Sequence, residues 1–325
     1  MRKVLLIALA GLGVAQTQVS EYRPIATYSI VALDKETGEL GVAVQSHWFS
    51  VGFLVPWVKA GVGAVATQSF VKVDYGPDGL KLMESGMTPE EALNKLIVDD
   101  EGESVRQVAM VDINGNVAAH TGNKCIQYAN HITGDGFSVQ ANLMANSTVP
   151  AAMAKAFENS TGDLADRMMA ALEAAEGEGG DIRGRQSAAM VVATGEPSGV
   201  PWKDIVLDLR VEDNPDPLPE LRRLIRINRA YDHANKGDHF VEIGAIDKAL
   251  EEYKQAAEYY PENVELPYWS AVTLASVGRV EEALPIFKQV FVADPDLITL
   301  TPRLVPAGLL PDDDVLMQKI MAQQY

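Results

Sequence analysis

The feature of this sequence that most constrains its fold is a repeat with a period of 34 residues in the C-terminal part of the chain. Small, aromatic and proline residues recur in the same order at eight matched positions. A period of this length is typical of stacked helical hairpins, in which small residues let two helices approach and aromatic side chains fill the space between them. The matched positions are Gly237, Phe240, Gly244, Ile246, Ala249, Tyr253, Ala256 and Pro261, then Ala271, Leu274, Gly278, Val280, Ala283, Phe287, Val290 and Pro295.

This pattern resembles the tetratricopeptide repeat, and it predicts two such repeats over residues 230–297. Two repeats bury little surface by themselves, so residues 298–325 are expected to cap the stack. The resemblance implies that the groove of the repeats binds a protein or peptide partner. An acidic, proline-rich break at residues 213–219 predicts a domain boundary, and residues 213–229 are predicted to be a linker and connecting helix.

The N-terminus has the pattern of a secretory signal. Arg2 and Lys3 precede an apolar run over residues 4–14, and small residues end at Ala15, where cleavage is expected. The run is shorter than the roughly 20 residues that a membrane-spanning helix needs, so no membrane anchor is expected. The sequence therefore predicts a signal peptide over residues 1–15, a lead-in segment over residues 16–25, and a secreted or periplasmic protein.

Composition excludes several classes of function. A net charge of −18 disfavours binding to nucleic acid, because phosphate and protein would repel each other. Cys125 is the only cysteine, so no intramolecular disulfide and no thiolate metal cluster can form. We expect no cofactor and no resident metal, since neither a phosphate loop nor a close-spaced ligand motif is present. A homo-oligomer is compatible with this composition.

The residues ahead of the repeats predict a layered α+β domain. Residues 27–33 and 40–46 read as one β-hairpin, and residues 106–112 and 117–121 read as another around Asn114-Gly115. Helices are predicted after the cap at Thr88, over residues 149–158 and over residues 164–176. The remaining predicted strands are 61–68, 136–143, 187–193 and 205–210. Hairpins separated by helices favour antiparallel sheets over a doubly wound parallel sheet.

Residues 26–210 resemble the family called domain of unknown function 1028, and the domain is predicted over residues 26–212. The segments that carry the resemblance are residues 27–32 (TYSIVA), 41–44 (GVAV), 61–68 (GVGAVATQ), 75–77 (YGP), 119–122 (AHTG) and 180–189 (GDIRGRQSAA). The resemblance implies a fold similar to that of the N-terminal-nucleophile hydrolases, a four-layer αββα sandwich. In that fold the first strand carries a Thr, Ser or Cys whose free α-amine acts as its own general base.

The resemblance makes Thr27 the candidate nucleophile, with Ser29 on the same strand face as the alternative. Cleavage after Ala15 would leave residues ahead of Thr27, so this chemistry needs a second cleavage. Both residues are also ordinary strand residues, because a β-branched threonine suits a strand. Two functions therefore stay open: a hydrolase of an amide-type bond in a small polar molecule or peptide fragment, or a non-catalytic ligand-binding or scaffolding protein.

Polar residues at several strand ends and in one glycine-flanked loop are the other candidates, since adjacent strand ends can converge on one pocket. His47, His120 and Asp181 are expected to act in catalysis, and Arg183 can clamp a carboxylate or pair with Asp181. The same three residues would be the ligands of any metal, although their spacing matches no metal motif. The residues expected to bind substrate are Gln45, Ser46, Gln68, Thr121, Asn142, Arg183 and Gln186.

Overall fold

The structure, a computed structural model, describes residues 27–324. The predicted signal peptide and lead-in segment therefore lie outside the described residues. Within residues 27–324 no helix is both long enough and apolar enough to cross a membrane.

Ten strands in the described chain form two sheets, and every strand pair is antiparallel. The larger sheet contains β1 (Thr27–Leu33), β2 (Leu40–Ser46), β7 (Asn130–Gly134), β8 (Phe137–Asn142), β9 (Ser187–Ala193) and β10 (Ile205–Val211). Their order is β10-β9-β2-β1-β8-β7, so the first strand lies inside the sheet with a neighbour on each side. The smaller sheet contains β3 (Pro56–Lys59), β4 (Gly63–Ser69), β5 (Arg106–Asp112) and β6 (Val117–Thr121), in chain order.

The two sheets pack face to face because their strands alternate. Val31, Val42 and Val44 of the larger sheet share one buried cluster with Ala66 and Ala109 of the smaller sheet. Their neighbours along each strand point to the opposite face, as the two-residue period of a strand requires. The inner cluster is fully buried, so it supplies much of the hydrophobic stabilisation of this domain.

Helices cover the outer face of each sheet. The smaller sheet is covered by α1 (Tyr75–Glu84) and α2 (Pro89–Val98), and the larger by α3 (Val149–Asn159) and α4 (Leu164–Gly177). The predicted start of α2 is confirmed, since Thr88 and Glu91 form a reciprocal capping box. The predicted mixture of helices with antiparallel sheets is likewise confirmed.

The C-terminal part is helical, as predicted. Its helices are α5 (Pro217–Glu242), α6 (Ile246–Tyr259), α7 (Glu265–Ser276), α8 (Val280–Ala293), α9 (Asp296–Leu300) and α10 (Asp314–Met321). The small and aromatic residues of the repeat pattern are in close contact. A side chain at position 237 would clash, because a Cβ atom on Gly237 would lie 2.5 Å from the ring of Tyr253. Leu316 and Ile320 of α10 join the buried cluster of α7 and α8, so this helix covers the last repeat.

Helix α5 covers most of the predicted linker and connecting helix, residues 213–229, and it belongs to both parts of the chain. Leu218, Leu221 and Ile225 are buried in the cluster between the larger sheet and its helices. The same helix continues without a break across residue 230 into the first repeat. The helix also contacts the first domain through Arg222, which makes two hydrogen bonds of 2.7 Å with Glu173 of α4.

Two edge strands, β3 and β7, were not predicted. β3 has four residues and starts with a proline, which lacks the N–H that a strand interior requires. β7 reads Asn-His-Ile-Thr-Gly and has no buried face, so it lacks the alternating apolar signal. Both strands depend on a neighbouring strand for their conformation.

Candidate functional site

Polar side chains fill one end of the space between the two sheets. Thr27 begins β1, Ser46 ends β2 and Asn142 ends β8, and register pairs Thr27 with both of the others. Gln68 approaches from the end of β4 in the opposite sheet. All of these side chains are buried, and strand alternation explains why Thr27 and Ser29 face the same interior. The predicted convergence of strand ends is therefore present for this group of residues.

Ser29 is fixed by two short hydrogen bonds. Its hydroxyl donates to Oε1 of Gln68 and accepts from Nε2 of Gln140, each at 2.6 Å. Oε1 of Gln140 in turn accepts from Ser138 at 3.0 Å. The single hydroxyl hydrogen of Ser29 is thus directed at a carboxamide oxygen, which does not act as a base. This environment suits a side chain that ties the two sheets together.

Thr27 has a different environment. Its hydroxyl donates to Oγ of Ser46 at 3.2 Å, and its carbonyl oxygen accepts from Nε2 of Gln68 at 3.3 Å. Nδ2 of Asn142 lies 3.5 Å from the same carbonyl oxygen. The hydroxyl contact of Thr27 is longer than the two hydroxyl contacts of Ser29, and it is made to another hydroxyl instead of a carboxamide.

Gln107, on β5, joins both sheets and was missed by the sequence analysis. Its Oε1 accepts from Nε2 of Gln68 at 2.7 Å and from Nδ2 of Asn142 at 2.9 Å. Its Nε2 donates to the carbonyl of Ala141 and to the hydroxyl of Thr121, each at 2.9 Å. A carbonyl can only accept, so the orientation of this carboxamide is fixed. The sequence signal was a glutamine near the start of a mostly apolar strand.

His131, on β7, was also missed. Its Nδ1 lies 2.9 Å from Oγ1 of Thr121, which connects it through Gln107 to the polar group around Thr27. Burial, and to a smaller extent the nearby His120, lower the pKa of His131. A histidine titrates near 6.5 in water, so His131 is neutral at pH 7. Beside it lies a cavity of about 480 Å³, lined by Thr121, Asn130 and His131 among others.

Asp181, His47 and Arg183 form a separate loop structure past the end of β2. The Asp181 carboxylate accepts from the backbone N of Arg183 at 2.9 Å and from its Nη2 at 2.9 Å. It also accepts from the backbone N of His47 at 3.1 Å. Of the two roles left open for Asp181, the structure shows the ion pair with Arg183. Gln186, in the same loop, donates to Asp213 at 3.1 Å.

Two predicted site residues face away from the interior. His120 lies on the outer face of the smaller sheet, with Nε2 2.9 Å from the carbonyl of Glu103 and 3.2 Å from its carboxylate. His47, in the loop after β2, and His120, on β6, are therefore in separate sets of contacts. Gln45 is fully buried on the outer face of the larger sheet, paired in register with Tyr28. Among the described residues, its carboxamide has no hydrogen-bond partner.

Backbone strain is concentrated at the same end of the sandwich. Ser69, which ends β4, has φ of 70°, and Leu143, which follows β8, has φ of 58°. Left-handed conformations of this kind cost roughly 1 to 3 kcal/mol and cluster at functional sites. Leu143 also joins two loops, because its N–H donates to Ile126 and its carbonyl accepts from Ile182. No group of three metal-ligating side chains exists within residues 27–324.

Comparison with known proteins gives the family of this domain. A model described as a family of unknown function, DUF1028, matches residues 27–221, which is more than half of the chain. The chain belongs to the DUF1028 family. A tetratricopeptide repeat model matches residues 241–299, so both predicted resemblances are confirmed. No curated protein matches the chain.

A similar solved structure is described as a member of the same family. It is the crystal structure of a DUF1028 protein from Silicibacter pomeroyi, 32% identical, with a TM-score of 0.55. The match covers 62% of this chain and 88% of that protein. The DUF1028 match ends at residue 221, inside α5, which agrees with the burial of Leu218 and Leu221 in the core of this domain.

Proposed function

We propose that the DUF1028 domain hydrolyses an amide-type bond in a small polar molecule or peptide fragment, with Thr27 as the nucleophile. The observation that carries the proposal is the position of Thr27: it begins an interior strand, and its hydroxyl lies among buried polar side chains between two sheets. This placement, with helices outside both sheets, supports a relationship to the N-terminal-nucleophile hydrolases.

The chemistry requires Thr27 to become the N-terminal residue. A free α-amine has a pKa near 8, so part of it is neutral at pH 7 and can take the hydroxyl proton. Attack on the substrate carbonyl then places negative charge on its oxygen, and the amine returns the proton to the leaving nitrogen as the C–N bond breaks. Water, deprotonated by the same amine, then hydrolyses the ester left on Thr27 and frees its hydroxyl. We assign Nδ2 of Asn142 as the donor to that oxygen, because its present contact with the Thr27 carbonyl is the longest in the group.

Export accompanies this proposal. The apolar run over residues 4–14 would direct the chain out of the cytoplasm, and a second cleavage would remove the residues up to Ala26. We propose a secreted or periplasmic location on that basis.

A second candidate function is binding of a protein partner. The repeats over α5 to α8 are the observation that favours it, since tetratricopeptide repeats suggest partner binding. In this alternative the DUF1028 domain binds a ligand or acts as a scaffold without turnover.

Substitution of the two hydroxyls tests the hydrolase. With exported protein, release of ammonia from small carboxamides and of amines from short peptides should be measured for wild type, Thr27→Ala, Thr27→Ser and Ser29→Ala. We expect Thr27→Ala to lower turnover by about 1000-fold or more, because the nucleophile is lost, and Thr27→Ser to keep part of it. Activity that survives Thr27→Ala but not Ser29→Ala would identify the other hydroxyl and contradict the proposal.

A further inference from the structure

The cavity beside His131 has an unusual lining for such an acidic protein. The chain carries a net charge of −18, yet none of the described residues that line this cavity carries a full charge at neutral pH. The lining is instead rich in carboxamides and hydroxyls, including Asn123, Gln127 and Ser147. Burial raises the pKa of the Cys125 thiol, so that group is uncharged as well. Groups of this kind both donate and accept, which suits a neutral polar ligand.

The hydrogen bonds of Thr121 bear on the position of the proton on His131. The Thr121 hydroxyl accepts from Nε2 of Gln107 at 2.9 Å and lies 2.9 Å from Nδ1 of His131. A hydroxyl has one hydrogen and two acceptor positions, so Thr121 either donates to Nδ1 or accepts from it. When Thr121 donates, the neutral imidazole carries its hydrogen on Nε2 and presents one N–H donor from that nitrogen.

The strands around His131 favour a peptide as the ligand. β6 and β7 are the last strands of their sheets, so each has one backbone edge without a neighbouring strand among those described. His131 also lines a second cavity of about 370 Å³, which follows residues 117–119 of β6 and Thr133 of β7. Unpaired strand edges bind extended peptides through main-chain hydrogen bonds. A peptide group, like the lining, is uncharged and has one donor and one acceptor.

We propose that this cavity binds an uncharged, extended peptide segment, one carbonyl of which accepts a hydrogen bond from Nε2–H of His131. The site is separate from Thr27, with Gln107 and Asn142 between them, and binding does not need the hydrolase chemistry. Tyr128, 43% exposed at this cavity, offers an aromatic ring to an apolar part of the ligand.

Nuclear magnetic resonance of the full chain with ¹⁵N-labelled histidine tests both the position of the proton on His131 and the binding of the ligand. The probe is N-acetyl-dialanine amide, a blocked neutral peptide; the comparisons are the same peptide with a free carboxylate, and glucose. At pH 7 His131 should be the neutral Nε2–H tautomer, and the blocked peptide should shift its signals. Wild type and Thr27→Ala should bind equally, so failure here leaves the hydrolase proposal untouched.

Three variants sharpen the test. His131→Ala should weaken binding of the blocked peptide by about tenfold or more, the size expected for one lost hydrogen bond. His120→Ala, a histidine on the outer face of the neighbouring strand, is the matched control and should bind as wild type. Thr121→Val keeps the imidazole and should increase the Nδ1–H tautomer, which gives a readout if His131→Ala does not fold. Tighter binding of the free carboxylate, binding of glucose alone, or no binding of the blocked peptide would overturn the proposal.

Discussion

Two buried glutamines near the same strand ends have opposite environments. Gln107 makes hydrogen bonds with both of its carboxamide atoms, and it connects Gln68, Asn142 and Thr121 across the two sheets. The carboxamide of Gln45 has no partner among the described residues. A buried polar group without a partner costs free energy, whereas a fully bonded one stabilises its surroundings. The polar interior thus depends on Gln107 far more than on Gln45.

Substituting each glutamine by methionine, which has a similar shape, measures this difference. Gln107→Met leaves Gln68, Asn142 and the Ala141 carbonyl with a lost partner each, so we expect the free energy of unfolding to fall by about 3 kcal/mol. Gln45→Met removes two unpaired polar atoms, so we expect either no change or a gain of about 1 kcal/mol. Denaturant unfolding measures both free energies. Equal losses for the two variants would contradict the stabilising role assigned to the hydrogen bonds of Gln107.

At the scale of the elements, α5 decides how the two parts of the chain are joined. Its first turns bury Leu218, Leu221 and Ile225 against the DUF1028 domain, and its later turns form the first helix of the repeats. Ion pairs reinforce this attachment, since Arg229 lies 2.7 Å from Asp163 and 2.8 Å from Asp166 at the start of α4. Exposed ion pairs contribute little, so the buried leucines supply most of the stabilisation.

Leu221→Ala tests the role of this helix in the first domain. Leu221 is fully buried, and a buried Leu→Ala change usually costs 2 to 5 kcal/mol, so we expect a loss of about 3 kcal/mol in the free energy of unfolding. Ile243→Ala, just after the same helix and 61% exposed, is the control and should change stability by less than about 0.5 kcal/mol. If Leu221→Ala behaved like this control, the first turns of α5 would not contribute to the stability of the first domain.

Across the whole molecule, strand alternation and turn residues predicted most of the fold. They predicted eight of the ten strands, both principal hairpins, and the common face of Thr27 and Ser29. Alternation also accounts for His120, because Thr121 points inward and its neighbour on the strand must point outward. The edge strands β3 and β7 were missed because their conformation depends on pairing.

The polar network was only partly predictable, since it depends on contacts between sheets that are distant in sequence. Their positions at strand ends indicated that Gln68, Ser46 and Asn142 belong to the network. The same reasoning did not show that Gln45 lies on the outer face of the larger sheet. Gln107 lies 35 residues from Asn142, and no local pattern reports the hydrogen bond that joins these two residues across the two sheets. His131 stayed hidden because its strand has no apolar face.

The N-terminal residue of the exported protein tests the central claim most directly. Intact-mass measurement, followed by mild periodate oxidation, should detect a chain that begins at Thr27, since periodate cleaves an N-terminal threonine with a free amine to an aldehyde. A Thr27→Ala chain of the same length would resist this oxidation and is the control. Our account predicts the aldehyde on the active wild-type protein. An active protein that retains residues ahead of Thr27 would contradict it, because Thr27 would then have no free amine to act as the base.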